Sequence, residues 1–411
     1  MVFLDDCSTR QVTLSVKYRL ILILALLAFL INGCKENRTE HGNEEELVKT
    51  DVSLELRLLS DINLDGPRSI MSRVIEQYPD LSIISRLASY DEMLEILSRE
   101  PIPDLIYIAE EEASEEVLDK LKELADRGIV TIIPANTAPG GLYFNQDLFD
   151  KFGVPYPKDG LSWDELAPMI RKLTRQEGGI QYYGFAANIR YLTQSNPWSL
   201  PLIDRDLRIA VFNNEIWKNW FVQMNTTFNA ADKVLSANEL ERSMNLFVKD
   251  KTLAMWAGND ILHSLVTSTE GLNWDVVSLP YVPEIPFTAE RAAIRQNIPF
   301  WVVSDAGEHS AEAYLLLSNF LSQYPPRTDR QVFLGELANK LKGKNFSSIF
   351  RNNMKSFTLN PRDSDDSVEL FAREELYKKL LQVISNQLDV NTALREAEEM
   401  TNLQIRAADR R

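Results

Sequence analysis

The stretch GLYFNQDLFDKFGVPYPKDGLSWDELAPMIRKLT, residues 141–174, contains two helices whose ends follow from local chemistry. A short apolar strand leads to Asn145, whose side-chain oxygen is a good cap for the first turn of a helix. Gly153 ends this helix, because glycine adopts the left-handed conformation of a helix C-terminus without strain. Ser162 and Glu165 have the spacing of a capping box, which predicts the start of a second helix. None of these residues indicates catalytic chemistry.

The chain before this stretch alternates strands with helices. In SLELRLL (53–59) three leucines alternate with charged residues, which is the period of a β-strand. LSIISRL (81–87), DLIYIA (104–109) and GIVTIIP (128–134) predict three further strands, and an apolar stripe predicts a helix over 115–126. Alternation of this kind builds a mostly parallel sheet with helices on both faces, so the sequence predicts an α/β fold.

Composition excludes several classes of function. The chain has 411 residues, enough for two domains, and a formal net charge of −16. Such an acidic protein is a poor partner for nucleic acid and for anionic lipid headgroups. Three histidines and two cysteines argue against a transition-metal site, and no glycine-rich phosphate-binding motif occurs. We therefore predict no cofactor and no metal.

The N-terminal segment has the features of a secretory signal. The uncharged run LILILALLAFLI (20–31) is shorter than the roughly 20 apolar residues that a membrane-spanning helix needs. It is followed by Ile-Asn-Gly-Cys, which resembles a bacterial lipobox with Cys34 as the lipidated residue. We predict a lipoprotein signal peptide over 1–33 and a flexible polar tether over 34–51. The alternative is a plain signal peptide in which Cys34 is incidental.

Three motifs in the central stretch resemble one known family. FNQDLF (144–149), GVP (153–155) and SWDE (162–165) resemble, in this order, the extracellular solute-binding proteins of bacterial ABC importers, the maltose-binding-like group called family 1. Two later segments agree with the same family, FVKDKTLAMWAGND (247–260) and WDVVSLPYVPE (274–284). The resemblance extends over about 52–405.

The resemblance implies a two-lobed periplasmic-binding-protein fold of type II. Each lobe is expected to be a mostly parallel sheet flanked by helices, and crossover strands join the lobes around a ligand cleft. The implied first lobe is 52–134 plus 281–302, and the implied second lobe is 140–276 plus 305–411. The crossings are expected near 134–140, 277–281 and 301–304.

Ligand-binding residues are predicted on both walls of the cleft. Ligands of parallel sheets bind at the carboxyl ends of the strands, which suggests Glu110 after the third strand, unless it is a solvated charge at the start of the next helix. The resemblance adds five residues of the second lobe, which are Phe144, Trp198, Trp256, Asn259 and Asp260. The alternative for the three aromatic residues is core packing, and for Asp260 it is a helix N-cap.

The resemblance implies a function as well as a fold. It predicts a monomeric, lipid-anchored solute-binding subunit of an ABC importer, on the outer side of the cell membrane, that binds a sugar or oligosaccharide and delivers it to the permease subunits. It predicts no catalysis. One alternative is a sensory or scaffolding lipoprotein without a transport partner. Another is a surface hydrolase, for which neither His-Glu-x-x-His nor Gly-x-Ser-x-Gly occurs.

Overall fold

Two β-sheets form the framework of the chain in the computed structural model. The described residues are 54–64, 78, 80–99, 101–109, 114–134, 139–194, 200–204, 206–259, 261–268, 271–282, 299–321, 333–351 and 366–408. The predicted signal peptide and tether therefore lie outside the described residues. Within these ranges, no helix is long and apolar enough to cross a bilayer.

The first sheet has five strands within the described residues, in the order β2-β1-β3-β13-β4. They are β1 (Leu54–Ser60), β2 (Leu81–Leu87), β3 (Leu105–Ile108), β4 (Val130–Pro134) and β13 (Phe300–Ser304). Strand β1 pairs in parallel with β2 and β3, whereas β13 runs antiparallel between β3 and β4. As the sequence predicted, the leucines of β1 point into the core while Glu55 is exposed.

Helices cover both faces of this sheet. On one face, α1 (Tyr90–Leu97) and α2 (Glu115–Asp126) pack their apolar stripes against alternate residues of β3 and β13. Side chains on the other face belong to the larger core that continues into the second lobe. Helix α10 (Ser310–Leu321) packs on this side.

The second sheet has four strands within the described residues, in the order β12-β5-β11-β8. They are β5 (Gly141–Asn145), β8 (Ala186–Ala187), β11 (Met255–Gly258) and β12 (Trp274–Val277). Strand β5 runs antiparallel to both of its neighbours, and β11 is parallel to β8. The α/β prediction is confirmed, but both sheets are mixed and not mostly parallel, because β13 in the first sheet and β5 in the second run antiparallel to both of their neighbours.

The other elements lie around the second sheet and between the sheets. Two short antiparallel pairs join β6 (Arg175–Glu177) to β7 (Ile180–Tyr182) and β9 (Ile203–Asp204) to β10 (Ile209–Ala210). The remaining helices are α3 (Gln146–Phe152), α4 (Trp163–Leu173), α5 (Ile189–Gln194), α6 (Glu215–Phe228), α7 (Ala237–Glu241), α8 (Ser243–Val248), α9 (Ile261–Thr267), α11 (Leu334–Asn339), α12 (Ser348–Arg351), α13 (Asp366–Ile384) and α14 (Val390–Ala408).

The chain connects the two lobes twice, each time between the same two sheet edges. Strand β4 ends at Pro134 and β5 begins at Gly141, so the chain passes from the carboxyl edge of the first sheet to the Gly141 edge of the second. The chain returns after β12 and enters β13 at Phe300, which pairs with Pro134. The two links therefore start and end at the same pair of edges.

The third predicted crossing is wrong. Residues 301–304 lie inside β13, where both edges of the strand are paired. The chain then continues on the first lobe, because the Tyr314 hydroxyl of α10 donates to Asp305 and the Asn319 amide donates to the Tyr78 hydroxyl. Residues 305–321 thus lie with the first lobe, although the sequence assigned them to the second. The other lobe bounds stay a prediction.

The local predictions around α3 and α4 are confirmed. Asn145 accepts a hydrogen bond from the backbone N–H of Leu148, and Gly153 adopts a left-handed conformation with φ of 64°. At the start of α4, the Ser162 hydroxyl accepts from the Glu165 N–H while the Glu165 carboxylate accepts from the Ser162 N–H at 2.8 Å. Local sequence therefore determines where both helices begin.

Ser162→Ala should reduce the free energy of unfolding by about 1 kcal/mol, because the substitution removes one half of this capping box. Urea unfolding followed by circular dichroism measures the change, with an unchanged dependence on urea concentration. Ser162→Thr keeps the hydroxyl and is the matched control. Equal loss of stability in both variants would contradict the role of the cap.

Candidate functional site

The carboxyl edge of the first sheet carries a hydrogen-bonded acidic residue. Asp61 directly follows β1, and its carboxylate accepts the Ala109 N–H at 3.0 Å and the Tyr90 hydroxyl at 3.2 Å. Because Ala109 directly follows β3, Asp61 ties together the ends of two parallel strands. Burial and the Asp61 charge raise the pKa of the nearby Tyr107 hydroxyl, which stays a neutral hydrogen-bond donor. Ligands of open α/β sheets bind at such an edge.

The facing edge of the second sheet is built from small residues. Gly141, the first residue of β5, pairs with Gly258, the last residue of β11. A Cβ at Gly140 would overlap the Tyr191 ring and lie 2.9 Å from the Gly258 carbonyl oxygen. A Cβ at Gly258 would overlap the Trp256 ring. Only glycine permits this close approach, which holds aromatic rings directly at the edge.

A cavity of about 320 Å³ lies at the carboxyl ends of β8 and β11. Its size matches the lower end of the range for small-molecule sites. Polar side chains with aromatic and apolar neighbours line it. The described lining residues are Ala187, Asn188, Ile189, Arg190, Leu240, Glu241, Ser243, Met244, Trp256, Tyr377 and Leu381.

Trp256 is a lining residue of this cavity. Its indole N–H donates to the Ser243 hydroxyl at 3.2 Å, and that hydroxyl donates to the Leu240 carbonyl at 2.6 Å. The side chain is only 2% exposed, so the ring contributes an edge to the wall and not an open stacking face. Its orientation is therefore set by the protein before any ligand arrives.

Arg190 is the cation of the cavity wall. Its guanidinium donates to the Glu374 carboxylate at 2.5 Å and 3.4 Å, and it lies 4.2 Å from the centroid of the Tyr377 ring. Burial opposes the charge, but the Glu374 carboxylate outweighs it and raises the pKa of Arg190. Arg190 belongs to α5, whereas its two partners lie one turn apart on α13. The cavity therefore depends on contact between distant parts of the chain.

The predicted site residues have different outcomes. Phe144 was predicted at the cleft, but it is 3% exposed and its ring packs against Phe149 and Tyr156, each at 5.5 Å. The structure thus places Phe144 in the core, because this side chain points away from the cavity into the packing of α3.

Trp256 lines the cavity, and half-buried Asn259 directly follows β11 at the same edge. Four predicted residues lie outside the described part of the chain, and they are Cys34, Glu110, Trp198 and Asp260.

Sequence reasoning did not identify four residues of these two edges. Asp61 had a usable signal, because it is the first charged residue after a predicted strand. Asn188 follows β8, which has two residues and is too short to produce a periodic pattern. Arg190 and Tyr377 have no local signal, because they become neighbours only when α5 packs against α13.

A larger cavity of about 840 Å³ lies elsewhere, between β4, α10 and the segment before α12. It contains Thr131 and Asp305, which lie at the amino end of β4 and just after β13. This edge is opposite to the carboxyl edge at which ligands of such sheets bind. We therefore assign the candidate site to the cavity over Trp256. No group of His, Cys, Asp or Glu in the described ranges is arranged to hold a metal ion.

Comparison with solved structures finds two-lobed binding proteins of low sequence identity. An ABC substrate-binding protein from Listeria monocytogenes, solved in complex with cycloalternan, is 13% identical with a TM-score of 0.46, over 85% of this chain and 98% of that one. The maltose/maltodextrin-binding domain MalE from Bdellovibrio bacteriovorus, bound to maltotriose, is 13% identical with a TM-score of 0.41, over 86% and 100%. No curated protein matches the chain.

Comparison with family models gives a match over more than half of the chain. Residues 99–323 match the model of the bacterial extracellular solute-binding proteins. The matched range includes both connections between the sheets and most of the cavity wall. The family consists of binding proteins that act outside the cell, and the sequence resemblance is confirmed. The chain therefore belongs to the bacterial extracellular solute-binding protein family with the two-lobed type II fold.

Proposed function

We propose that the protein is the lipid-anchored solute-binding subunit of an ABC importer and that it binds a carbohydrate between its lobes. The cavity over Trp256 is the observation that carries this proposal. It combines the edge of a fixed aromatic ring with the Asn188 amide and the Arg190 guanidinium. A sugar ring has both an apolar face and hydroxyl groups, and such a wall can contact both.

The first lobe supplies the opposite wall in this proposal. Asp61 and Tyr107 lie at the carboxyl edge of the first sheet, from which the chain leaves for the second lobe and to which it returns. Binding of a sugar to both edges would favour the closed arrangement of the lobes, because only that arrangement makes both sets of contacts. Closure then presents the loaded protein to the permease subunits. The protein itself has no catalytic role.

The predicted residues outside the described ranges remain part of the proposal. Asp260 follows Asn259 at the end of β11, and Glu110 follows Ala109 after β3. Trp198 belongs to a segment flanked by Pro197 and Pro201. We propose that all three contribute to the cleft and that Cys34 carries the lipid.

A thermal-shift screen of mono- and oligosaccharides tests the carbohydrate proposal. A ligand at 100 times its dissociation constant should stabilise the folded protein by about 2.7 kcal/mol. Chromatography of the sugar after incubation checks that it is returned unchanged. A stabilising compound of another chemical class, with no effect from any sugar, would refute the carbohydrate part. Turnover of the sugar would instead support a hydrolase.

Replacing Trp256 should weaken sugar binding more than it changes the fold. Trp256→Phe should lower affinity about three- to tenfold, because part of the aromatic contact with the ligand is lost. Trp274→Phe is the matched control, since Trp274 is equally buried in the next but one strand of the same sheet and does not line the cavity. Isothermal titration with the sugar found in the screen gives both affinities. Equal losses of affinity in the two variants would show that the ligand does not contact Trp256.

Cys34→Ala should release the protein from the cell surface. Stable anchoring needs more than one acyl chain, which the lipoprotein modification supplies and the variant cannot receive. Fractionation of cells, with electrophoretic mobility as a second measurement, compares the variant with the wild-type protein. A variant that stays with the membrane at unchanged mobility would show that Cys34 is incidental.

A further inference from the structure

Arg190 lines the cavity, but its guanidinium is already paired with Glu374. Arginine is well suited to bind carboxylate or phosphate groups, because its planar fork donates two parallel hydrogen bonds. An unpaired arginine in a sugar site would therefore favour acidic sugars. Here the Glu374 carboxylate already takes two donors of the Arg190 fork, at 2.5 Å and 3.4 Å.

Two side chains of α13 hold the Arg190 guanidinium in place. Glu374 and Tyr377 are three residues apart on this helix, so Glu374 contacts the edge of the guanidinium and Tyr377 contacts its face. The side chains of Arg190 and Glu374 are 42% and 33% exposed, so both are partly open to solvent, and Arg190 also lines the cavity. The remaining N–H donors of Arg190 can still serve a ligand hydroxyl.

The described lining carries one cation and one anion, Arg190 and Glu241. Glu374 is not itself a lining residue, but it pairs with Arg190 and offsets its charge, so the described wall presents no uncompensated positive charge to an anion. An anionic ligand would have to displace Glu374 from the fork and would also meet Glu241. A neutral ligand meets neither penalty. Like-charge contact of this kind is a common way for a site to reject wrong ligands.

We propose that the Arg190–Glu374 pair is a charge filter that restricts the cavity to uncharged sugars and excludes uronic acids. This inference rests on the proposed carbohydrate function and adds to it the charge class of the ligand. The filter acts by occupying the arginine and not by closing the cavity. Removing the negative charge of Glu374 should therefore create affinity for a carboxylate.

The decisive variant is Glu374→Gln, tested with the sugar pairs glucose and glucuronate, and galactose and galacturonate. Thermal shift and isothermal titration at low ionic strength measure both members of each pair. We expect the variant to bind a uronate about ten- to a hundredfold more tightly than the wild-type protein does, because one charge-assisted contact becomes available. The gain should shrink at high salt, as expected for an accessible ion pair.

Two further variants separate the filter from general effects of charge. Glu396→Gln is the matched control, because Glu396 forms a 2.5 Å pair with Lys379 between α13 and α14 and does not line the cavity. It should leave uronate binding unchanged. The double variant Arg190→Gln/Glu374→Gln should lose the gain, because the new affinity depends on the freed guanidinium.

The outcomes distinguish this inference from the proposed function. The filter is refuted if the wild-type protein binds a uronate as tightly as the matching neutral sugar, or if Glu374→Gln brings no gain in uronate affinity. A gain in Glu374→Gln that Glu396→Gln lacks supports the filter. If the wild-type protein binds neutral sugars but Glu374→Gln brings no gain, the filter fails while the carbohydrate proposal stands. If the wild-type protein binds no sugar of the wider screen, the carbohydrate proposal fails and the filter fails with it.

Discussion

The antiparallel insertion of β13 between β3 and β4 is the constraint on which the rest of the structure depends. Its backbone is hydrogen-bonded on both sides, and its residues are buried. The chain leaves the first sheet at β4, builds most of the second lobe, and only then returns to complete the first sheet. Contacts this distant in sequence lose much loop entropy before they form, which is typical of slowly folding topologies.

This return path also decides which edges of the two sheets are connected. Both connections run between the carboxyl edge of the first sheet and the Gly141 edge of the second. Asp61 lies at one edge, and the Trp256 cavity lies at the other. The order of strands thus brings Asp61 and the Trp256 cavity to the two connected edges. The glycines of the second edge then allow the rings of Trp256 and Tyr191 to lie directly against it.

Charge gives the site a property that the fold alone does not. Many two-lobed proteins could place an arginine at this edge, but the guanidinium here is held by Glu374 and by the face of Tyr377. A paired arginine donates hydrogen bonds without presenting a free positive charge. The net negative charge of the chain also disfavours anionic ligands, because a negative protein repels anionic solutes at distances within the Debye length.

The sequence by itself determined the local elements and, through its ordered motifs, the family. The caps of α3 and α4 and the alternation of β1 involve residues within a few positions of one another, and such short-range chemistry is the same in any fold. Tertiary structure decided that Phe144 is a core residue, that α10 belongs to the first lobe, and that Arg190 meets Glu374. The last two outcomes depend on partners that are distant in the chain, 184 positions away for Arg190 and 241 for Asn319 of α10. No local period or spacing records such a contact, because it forms only when separate helices pack together.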